Sequence, residues 1–193
     1  MNDWIREIVN QKKDIINSLE KIDYFDCVEK AGDLMVDALK SNHKILLAGN
    51  GGSAADAQHF AGEIVGRFLM DREALPAISL CTDPTIVTSI SNDYGYDDLF
   101  SREISGLGNM GDVFVAISTS GNSINCIKAI KKAHEKDMAV IGLLGKSGGK
   151  MKDMCDISLV VPSDSTPRIQ EIHTFTIHLL CKIIEDKLFG VAE

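Results

Sequence analysis

The feature that most constrains the fold of this chain is a regular alternation of short apolar runs with longer amphipathic segments. The apolar runs are four to six residues long, which suits buried strands, and lie at residues 44–48, 77–80, 113–117, 139–144 and 157–161. Segments with the apolar spacing of a helix lie between them, as at residues 123–135. Strands that alternate with helices form a parallel sheet covered on both faces. We therefore predict an α/β fold built on a parallel sheet.

Further helices are predicted at both ends of the chain. Residues 2–20 and 26–41 carry apolar side chains three and four positions apart, and residues 167–188 repeat that spacing. The apolar face of the N-terminal pair needs a partner, which is either the chain's own C-terminal helix or another subunit, and we predict that it serves oligomerisation. Because 193 residues suit one domain, we predict a single domain over residues 1–193. Residues 1–41 would be its helical pair and residues 42–193 its α/β core.

Composition narrows the classes of function. A net charge of −8 argues against nucleic-acid binding, which relies on clustered Lys and Arg. The N-terminus lacks the basic start and apolar run of a secretory signal, and no apolar stretch approaches the ~20 residues of a membrane span. The five cysteines are an odd number without a Cys-x-x-Cys pair, so we predict a cytoplasmic protein with no membrane partner. A small anionic substrate would have to be held by local donors, because the overall field repels it.

A glycine loop, Gly49-Asn50-Gly51-Gly52-Ser53-Ala54, directly follows the first predicted strand. It contains the G-x-G-x-x-A pattern, but Asp83 lies too far along the chain to be the acidic residue of a dinucleotide site. No Gly-Lys-Ser or Gly-Lys-Thr follows, which excludes a Walker loop. The loop can instead bring backbone N–H groups and the Ser53 hydroxyl to a helix start, where a polar or anionic ligand is stabilised. The alternative is a simple glycine turn.

A hydroxyl loop, Ser118-Thr119-Ser120-Gly121-Asn122-Ser123, follows the third predicted strand and precedes a helix. Its four hydroxyl groups and its backbone N–H groups can bind the oxygens of a phosphate monoester without a lysine. A serine-rich helix cap would explain one or two of these hydroxyls, but not all of them. We therefore predict a phosphate site at this loop.

Four side chains on two predicted helices form the candidate chemical centre. His59 and Glu63 share a face of the helix after the glycine loop, and Gln170 and His178 lie about 80° apart around the C-terminal helix. Imidazole nitrogens with carboxylate and amide oxygens suit a zinc site. An imidazole facing a carboxylate can also move a proton between adjacent carbons. The alternative for His59 and Glu63 is a surface ion pair.

The remaining polar residues of interest are two weaker site candidates and three histidines. Asn92 and Asp93 are further site candidates, with an ordinary turn as the alternative. His43 and His134 stand among charged residues and are predicted to be surface residues, and His173 has no assigned role.

The order of these motifs, together with Asp56-Ala57-Gln58-His59-Phe60 and Arg168-Ile169-Gln170-Glu171-Ile172-His173, resembles the phosphoheptose isomerases of the SIS (sugar isomerase) family over nearly the whole chain. The resemblance implies a flavodoxin-like, three-layer α/β/α sandwich around a five-stranded parallel sheet. It implies a homotetramer with active sites at subunit interfaces. It also implies an aldose–ketose isomerase that converts D-sedoheptulose 7-phosphate to D-glycero-D-manno-heptose 7-phosphate through an enediol. That reaction begins ADP- or GDP-heptose synthesis for lipopolysaccharide or surface glycans.

The same resemblance implies roles for individual residues. Glu63 and His178 would be the catalytic proton carriers. One zinc ion per subunit would be held by His59, Glu63, Gln170 and His178. The phosphate would be held by Ser118, Thr119, Ser120 and Ser123. The sugar would contact Asn50, Gly51, Gly52, Ser53, Glu63, Asn92, Asp93 and Gln170.

The alternative function is a scaffold without catalysis, like the relative of the same fold that binds the bacterial replication initiator. As that relative is understood, it lacks the acid–base pair at the positions of Glu63 and His178. Both residues are present here, which favours an isomerase. The chain departs from the family pattern at Pro167, where some isomerases carry an acidic residue, so no polar role is carried over to that position.

Overall fold

The computed structural model describes residues 2–80 and 82–190 of the chain. Its helices are α1 (Asp3–Leu19), α2 (Tyr24–Lys40), α3 (Gly52–Val65), α4 (Pro84–Tyr94), α5 (Leu99–Leu107), α6 (Ile124–Glu135) and α7 (Thr166–Phe189). Its strands are β1 (Ile45–Gly49), β2 (Ala77–Ser79), β3 (Val113–Ser118), β4 (Ala139–Gly145) and β5 (Ile157–Val161). Short 3-10 segments lie at Tyr96–Asp98 and Gly149–Met154. Each predicted strand is present, and the predicted bounds are confirmed to within one residue.

The five strands form one parallel sheet in the order β2-β1-β3-β4-β5. Ile45 of β1 pairs with Ala77 of β2 on one side and with Val113 of β3 on the other. Every residue of β1 and β3 is buried. This burial explains why these strands are continuous apolar runs instead of alternating polar and apolar residues.

Two apolar clusters cover the two faces of the sheet. One cluster packs α1, α2, α3 and α7 against the sheet, and the other packs α5 and α6 against its opposite face. A buried hydrogen bond of 2.8 Å between the Tyr24 hydroxyl and Thr176 Oγ1 also joins α2 to α7. The predicted three-layer α/β/α sandwich is therefore confirmed.

The strand order changes direction beside β1. The chain passes from β1 outward to β2 and then returns to β3 on the other side of β1. The glycine loop after β1 and the hydroxyl loop after β3 therefore leave the same end of the sheet side by side. In open parallel sheets this position is the usual ligand crevice.

Helix α1 is only partly covered by the rest of the chain. Its C-terminal part buries Ile15 and Leu19, whereas Trp4 is 58% exposed near its start. Ile8 and Val9 are exposed on the same helix. Within residues 2–80 and 82–190, no helix combines the length and the apolar character that crossing a membrane requires.

Candidate active site

The glycine loop joins β1 to α3 at the crevice, and Asn50 is its most firmly held side chain. The Asn50 amide donates to Asn125 Oδ1 at 2.9 Å, and Asn50 Oδ1 accepts from the Asn125 amide at 2.9 Å. The Tyr96 hydroxyl also donates to Asn50 Oδ1, at 2.7 Å. Because Asn125 lies in the first turn of α6, this reciprocal amide pair connects the glycine loop to the helix that follows the hydroxyl loop.

The hydroxyl loop gathers serine side chains at the start of α6. Ser118 Oγ lies 2.9 Å from Ser123 Oγ and 3.5 Å from Ser120 Oγ. Ser123 is the N-cap residue of α6, but within the described chain its hydroxyl bonds Ser118 instead of capping the helix. The hydroxyl cluster therefore lies where the free N–H groups of a helix favour an anion. Ser118 Oγ and Ser120 Oγ also accept from the backbone N–H groups of Gly121 and Asn122, so the phosphate site stays a prediction.

A polar stripe runs along the interface between α3 and α7. At its first position, the Gln170 amide packs against Gly52 so closely that a Cβ at Gly52 would overlap it. At its second position, the Thr174 hydroxyl donates to Asp56 Oδ1 at 3.1 Å. At its third position, the His178 ring meets the His59 ring edge-on, with centroids 5.2 Å apart. Since contacts advance in the same direction along both helices, α3 and α7 run parallel.

The third position of the stripe holds the candidate proton carriers. His59 Nε2 lies 3.1 Å from Glu63 Oε1, and these side chains are 40% and 25% exposed. The Phe68 ring stacks on His178, with centroids 5.4 Å apart and planes at 27°. His59, Glu63 and His178 therefore come together as a solvent-accessible cluster, with an aromatic ring supporting His178.

The donor types of this cluster fit zinc, because two imidazoles and a carboxylate are common zinc ligands. Within residues 2–80 and 82–190, however, no three His, Cys, Asp or Glu side chains are arranged as a metal-binding group. His59 Nε2 and Glu63 Oε1 instead contact each other. Gln170 packs at Gly52, about two helical turns before His59, so the predicted four ligands do not all converge.

Asn92 and Asp93 lie in the last turn of α4, and both are exposed. Asn92 Nδ2 donates to Asp93 Oδ1 at 2.8 Å. Asp93 lines a cavity of about 400 Å³ between α4 and α5, where the Arg102 guanidinium lies 3.6 Å from the centre of the Tyr94 ring. Asn92 and Asp93 therefore belong to the end of a helix, and not to the ordinary turn that was the alternative to a site.

Three histidines lie outside the cluster. His173 is fully buried and its Nε2 lies 3.0 Å from the Leu144 carbonyl oxygen. Burial lowers the pKa of His173 to about 4, which keeps the ring neutral in the core. His134 Nε2 contacts the Met154 carbonyl oxygen at 2.9 Å, and His43 lies 3.9 Å from Asp112.

Several residues of the crevice escaped the sequence analysis. Asn125 carries a usable signal, because it lies in the first helical turn after the hydroxyl loop. Thr174 carries another, because it stands midway between Gln170 and His178 on the same helix face. Tyr96 and Phe68 have no signal in the sequence, since each reaches the site from a segment whose position depends on tertiary packing.

Comparison with known families defines the class of the protein. The family model described as SIS domain matches residues 9–145, a range that includes both loops and the His59–Glu63 pair. The chain belongs to the SIS domain family. A phosphoheptose isomerase from Aliarcobacter butzleri is 49% identical over 95% of this chain and 96% of the relative. Another from Campylobacter jejuni is 54% identical over 82% of this chain and 86% of the relative.

Solved structures narrow the class further. A phosphoheptose isomerase structure from Neisseria gonorrhoeae matches with a TM-score of 0.90 and 44% identity, covering 95% of this chain and 98% of the other. One from Francisella tularensis matches with a TM-score of 0.86 and 37% identity, covering 96% and 100%. Within the SIS domain family, this chain is a member of the phosphoheptose isomerases. The family predicted from the motifs is confirmed.

Proposed function

We propose that this protein is an aldose–ketose isomerase that converts D-sedoheptulose 7-phosphate to D-glycero-D-manno-heptose 7-phosphate. One observation carries the proposal. The cluster of His59, Glu63 and His178 lies at one end of the polar stripe, and the other end of the stripe reaches the glycine loop in the ligand crevice beside β1. Relatives named phosphoheptose isomerase that span nearly the whole chain support it. The product would be the starting sugar for ADP- or GDP-heptose used in lipopolysaccharide or surface glycans.

The phosphate of the substrate is bound by the hydroxyl loop in this proposal. Ser118, Thr119, Ser120 and Ser123 supply hydroxyl donors, and the start of α6 supplies backbone N–H groups and a favourable dipole. Hydrogen bonds to an ionised phosphate are stronger than neutral ones, which offsets the net charge of −8. The sugar lies along the residues of the glycine loop, Asn50, Gly51, Gly52 and Ser53, and contacts Gln170, Asn92 and Asp93.

Proton transfer is assigned to Glu63 and His178. One of these groups removes the proton from the carbon beside the carbonyl, and the other moves a proton between the two oxygens, which passes the sugar through an enediol. Glu63 contacts His59, and His178 is held between the His59 and Phe68 rings. Both carriers thus sit in one cluster, as a transfer between adjacent carbons requires.

Zinc is the cofactor that we propose, at one ion per subunit, with His59, Glu63, Gln170 and His178 as ligands. The nitrogen and oxygen donor types support this choice, and the side chains would have to turn from their present contacts to bind one ion. When bound, zinc would polarise the substrate carbonyl.

We further propose a single SIS domain over residues 1–193, with residues 1–41 used in assembly and residues 42–193 as the core. The partly exposed apolar face of α1, including Trp4, Ile8 and Val9, supports assembly into a homotetramer with sites at subunit interfaces.

Light scattering tests the proposed homotetramer. The expected solution mass is near four times 21.0 kDa, and a monomer mass would contradict the proposal.

We also propose a cytoplasmic location. The odd number and scatter of the five cysteines support it.

The direct test is incubation with sedoheptulose 7-phosphate in deuterated water, followed by NMR of the product. We expect an aldoheptose 7-phosphate that carries some deuterium at C2, because the proton taken from C1 can exchange with solvent on the base before it is delivered to C2. No conversion, with or without zinc, would contradict the proposed substrate. It would direct attention to other ketose phosphates and then to a scaffold that binds the replication initiator.

Replacing Ser120 with alanine should weaken substrate binding more than it slows the chemical step. The hydroxyl contacts phosphate in the ground state and the transition state alike, so KM should rise roughly tenfold or more while kcat changes little. Steady-state kinetics would measure both parameters. Ser105→Ala, on the exposed surface of α5, is the matched control. A fall in kcat at unchanged KM would instead assign Ser120 to the chemical step.

Removing zinc should abolish most of the turnover, and adding zinc should restore it. Metal analysis should find about one zinc ion per chain in the wild-type protein and much less in His59→Gln, because the variant lacks one of the usual nitrogen ligands. The metal content is measured independently of turnover. Full turnover by protein that contains no metal would contradict a catalytic zinc ion.

A further inference from the structure

A buried carboxylate on α7 organises the loop that follows α3. The Glu185 side chain is 1% exposed and accepts four hydrogen bonds. Three of them come from the consecutive backbone N–H groups of Phe68, Leu69 and Met70, at 2.8–3.0 Å. Burial alone would raise the pKa of Glu185, but these donors and Arg72 lower it below its usual range. The loop is therefore folded around a fixed negative charge.

Arg72 joins this charge to the end of α3. Its side chain is 2% exposed, and its Nε donates to Glu185 Oε1 at 3.1 Å. Its other nitrogens donate at 2.8 Å to the carbonyl oxygens of Glu63 and Ile64, which belong to the last turn of α3. Helix-terminal carbonyls lack partners within the helix and are stabilised by a cation. Arg72 thus fixes the backbone of Glu63, one of the two proposed proton carriers.

The Arg72–Glu185 pair also reaches the His178 side of the cluster, through Phe68. The Phe68 N–H is held by Glu185, and the Phe68 ring stacks on His178. On another side, the His178 ring meets the His59 ring. Two buried, fully paired charges therefore hold both the backbone of Glu63 and the ring that supports His178.

We infer that Arg72 and Glu185 are positioning residues for the isomerase reaction, which set the geometry of Glu63 and His178 through the Glu63 carbonyl and the Phe68 ring. The inference rests on the proposed function for the identity of the reaction. Both side chains are almost fully buried, at 2% and 1% exposed, so they act through their neighbours and not by contact with a ligand in the crevice. A misplacement of about 1 Å at reacting groups can cost ~10²-fold in rate, so such a device would have a large effect on kcat.

Glu185→Gln tests the inference, since it keeps the shape of the side chain but points an amide NH₂ at backbone N–H donors. We expect kcat to fall at least tenfold and KM to stay within about twofold, because the substrate contacts are untouched. Asp186→Asn is the matched control, as the next residue of α7 is an exposed acid, and it should behave as wild type. Equal kcat values for the two variants would overturn the inference.

A second readout follows the Phe68 ring itself. In protein with ¹³C-labelled histidine and equal zinc content, the His178 ring signal should be shifted by the aromatic face of Phe68. Phe68→Leu removes that shift and gives the reference position. The His178 signal of Glu185→Gln should move toward this reference, whereas a signal unchanged from wild type would show that Glu185 does not hold Phe68.

Phe68→Leu also keeps the inference testable if Glu185→Gln does not fold. This variant leaves the Arg72–Glu185 pair in place, and its kcat should still fall while KM is preserved. Wild-type kcat in Phe68→Leu would overturn the inference. The NMR comparison needs no substrate, so a wild type that shows the histidine shift but no turnover would contradict the proposed function and not the positioning of His178.

Discussion

Glu63→Gln should lower kcat by about 10²–10⁴-fold, because it replaces a proposed proton carrier with an amide of nearly equal volume that cannot carry the proton. Glu63 lies 3.1 Å from His59 and is one quarter exposed, so the amide should fit without disturbing the core. Turnover of sedoheptulose 7-phosphate at saturating concentration would measure the loss. The solution mass should not change.

Glu20→Gln is the matched control for this variant, since Glu20 is an exposed glutamate at the end of α1. It should retain wild-type turnover. If Glu63→Gln turned over substrate as fast as this control, Glu63 would not be a proton carrier, and the role of the cluster would have to be reassigned.

Gly121→Ala should both destabilise the protein and weaken phosphate binding. Gly121 has φ +63°, a conformation that L side chains rarely adopt, and an added Cβ would overlap the Gly148 carbonyl oxygen. Backbone strain and overpacking together should cost roughly 2–6 kcal/mol. For a chain of this size, that corresponds to a melting temperature lower by roughly 5–20 °C. Thermal denaturation and the KM for substrate would measure the two effects.

Gly106→Ala provides the control for the glycine substitution. An added Cβ at Gly106 of α5 meets no atom within 4 Å, so alanine should stabilise the helix by roughly 0.5–1 kcal/mol. The two variants should therefore shift the melting temperature in opposite directions. An unshifted melting temperature in Gly121→Ala would mean that the hydroxyl loop moves freely away from the segment around Gly148.

The sheet was predictable because buried parallel strands are continuous apolar runs, and each run ends where the chain leaves the core. The two helices between β2 and β3 were not delimited. No residue of α4 is buried, so the apolar period that identifies a helix is weak over Pro84–Tyr94. Asn92 and Asp93 were accordingly compared with a turn, although they lie within a helix.

The candidate site could be predicted where its residues are close together in the sequence. The hydroxyl loop is one continuous segment, and His59 and Glu63 are four positions apart on one helix. The 3.6-residue period of α7 predicted that Gln170 and His178 could reach one site. In the structure they contact α3 at separate positions, Gln170 at Gly52 and His178 at His59. Which residues of α7 face which residues of α3 depends on the register of two packed helices, and no pattern within either helix specifies it.

The parallel packing of α3 and α7 sets the order in which the site can be completed during synthesis. Asp56 and Thr174 touch although 118 positions separate them, so this contact closes a very long loop of chain. Both loops and the His59–Glu63 pair emerge from the ribosome well before α7 does. A nascent chain can thus present the loop of the proposed phosphate site while it still lacks Gln170 and His178. Isomerase activity should appear only after the last helix has docked, so the docking of α7 is a step that the enzyme needs beyond the formation of the proposed sugar-phosphate loops.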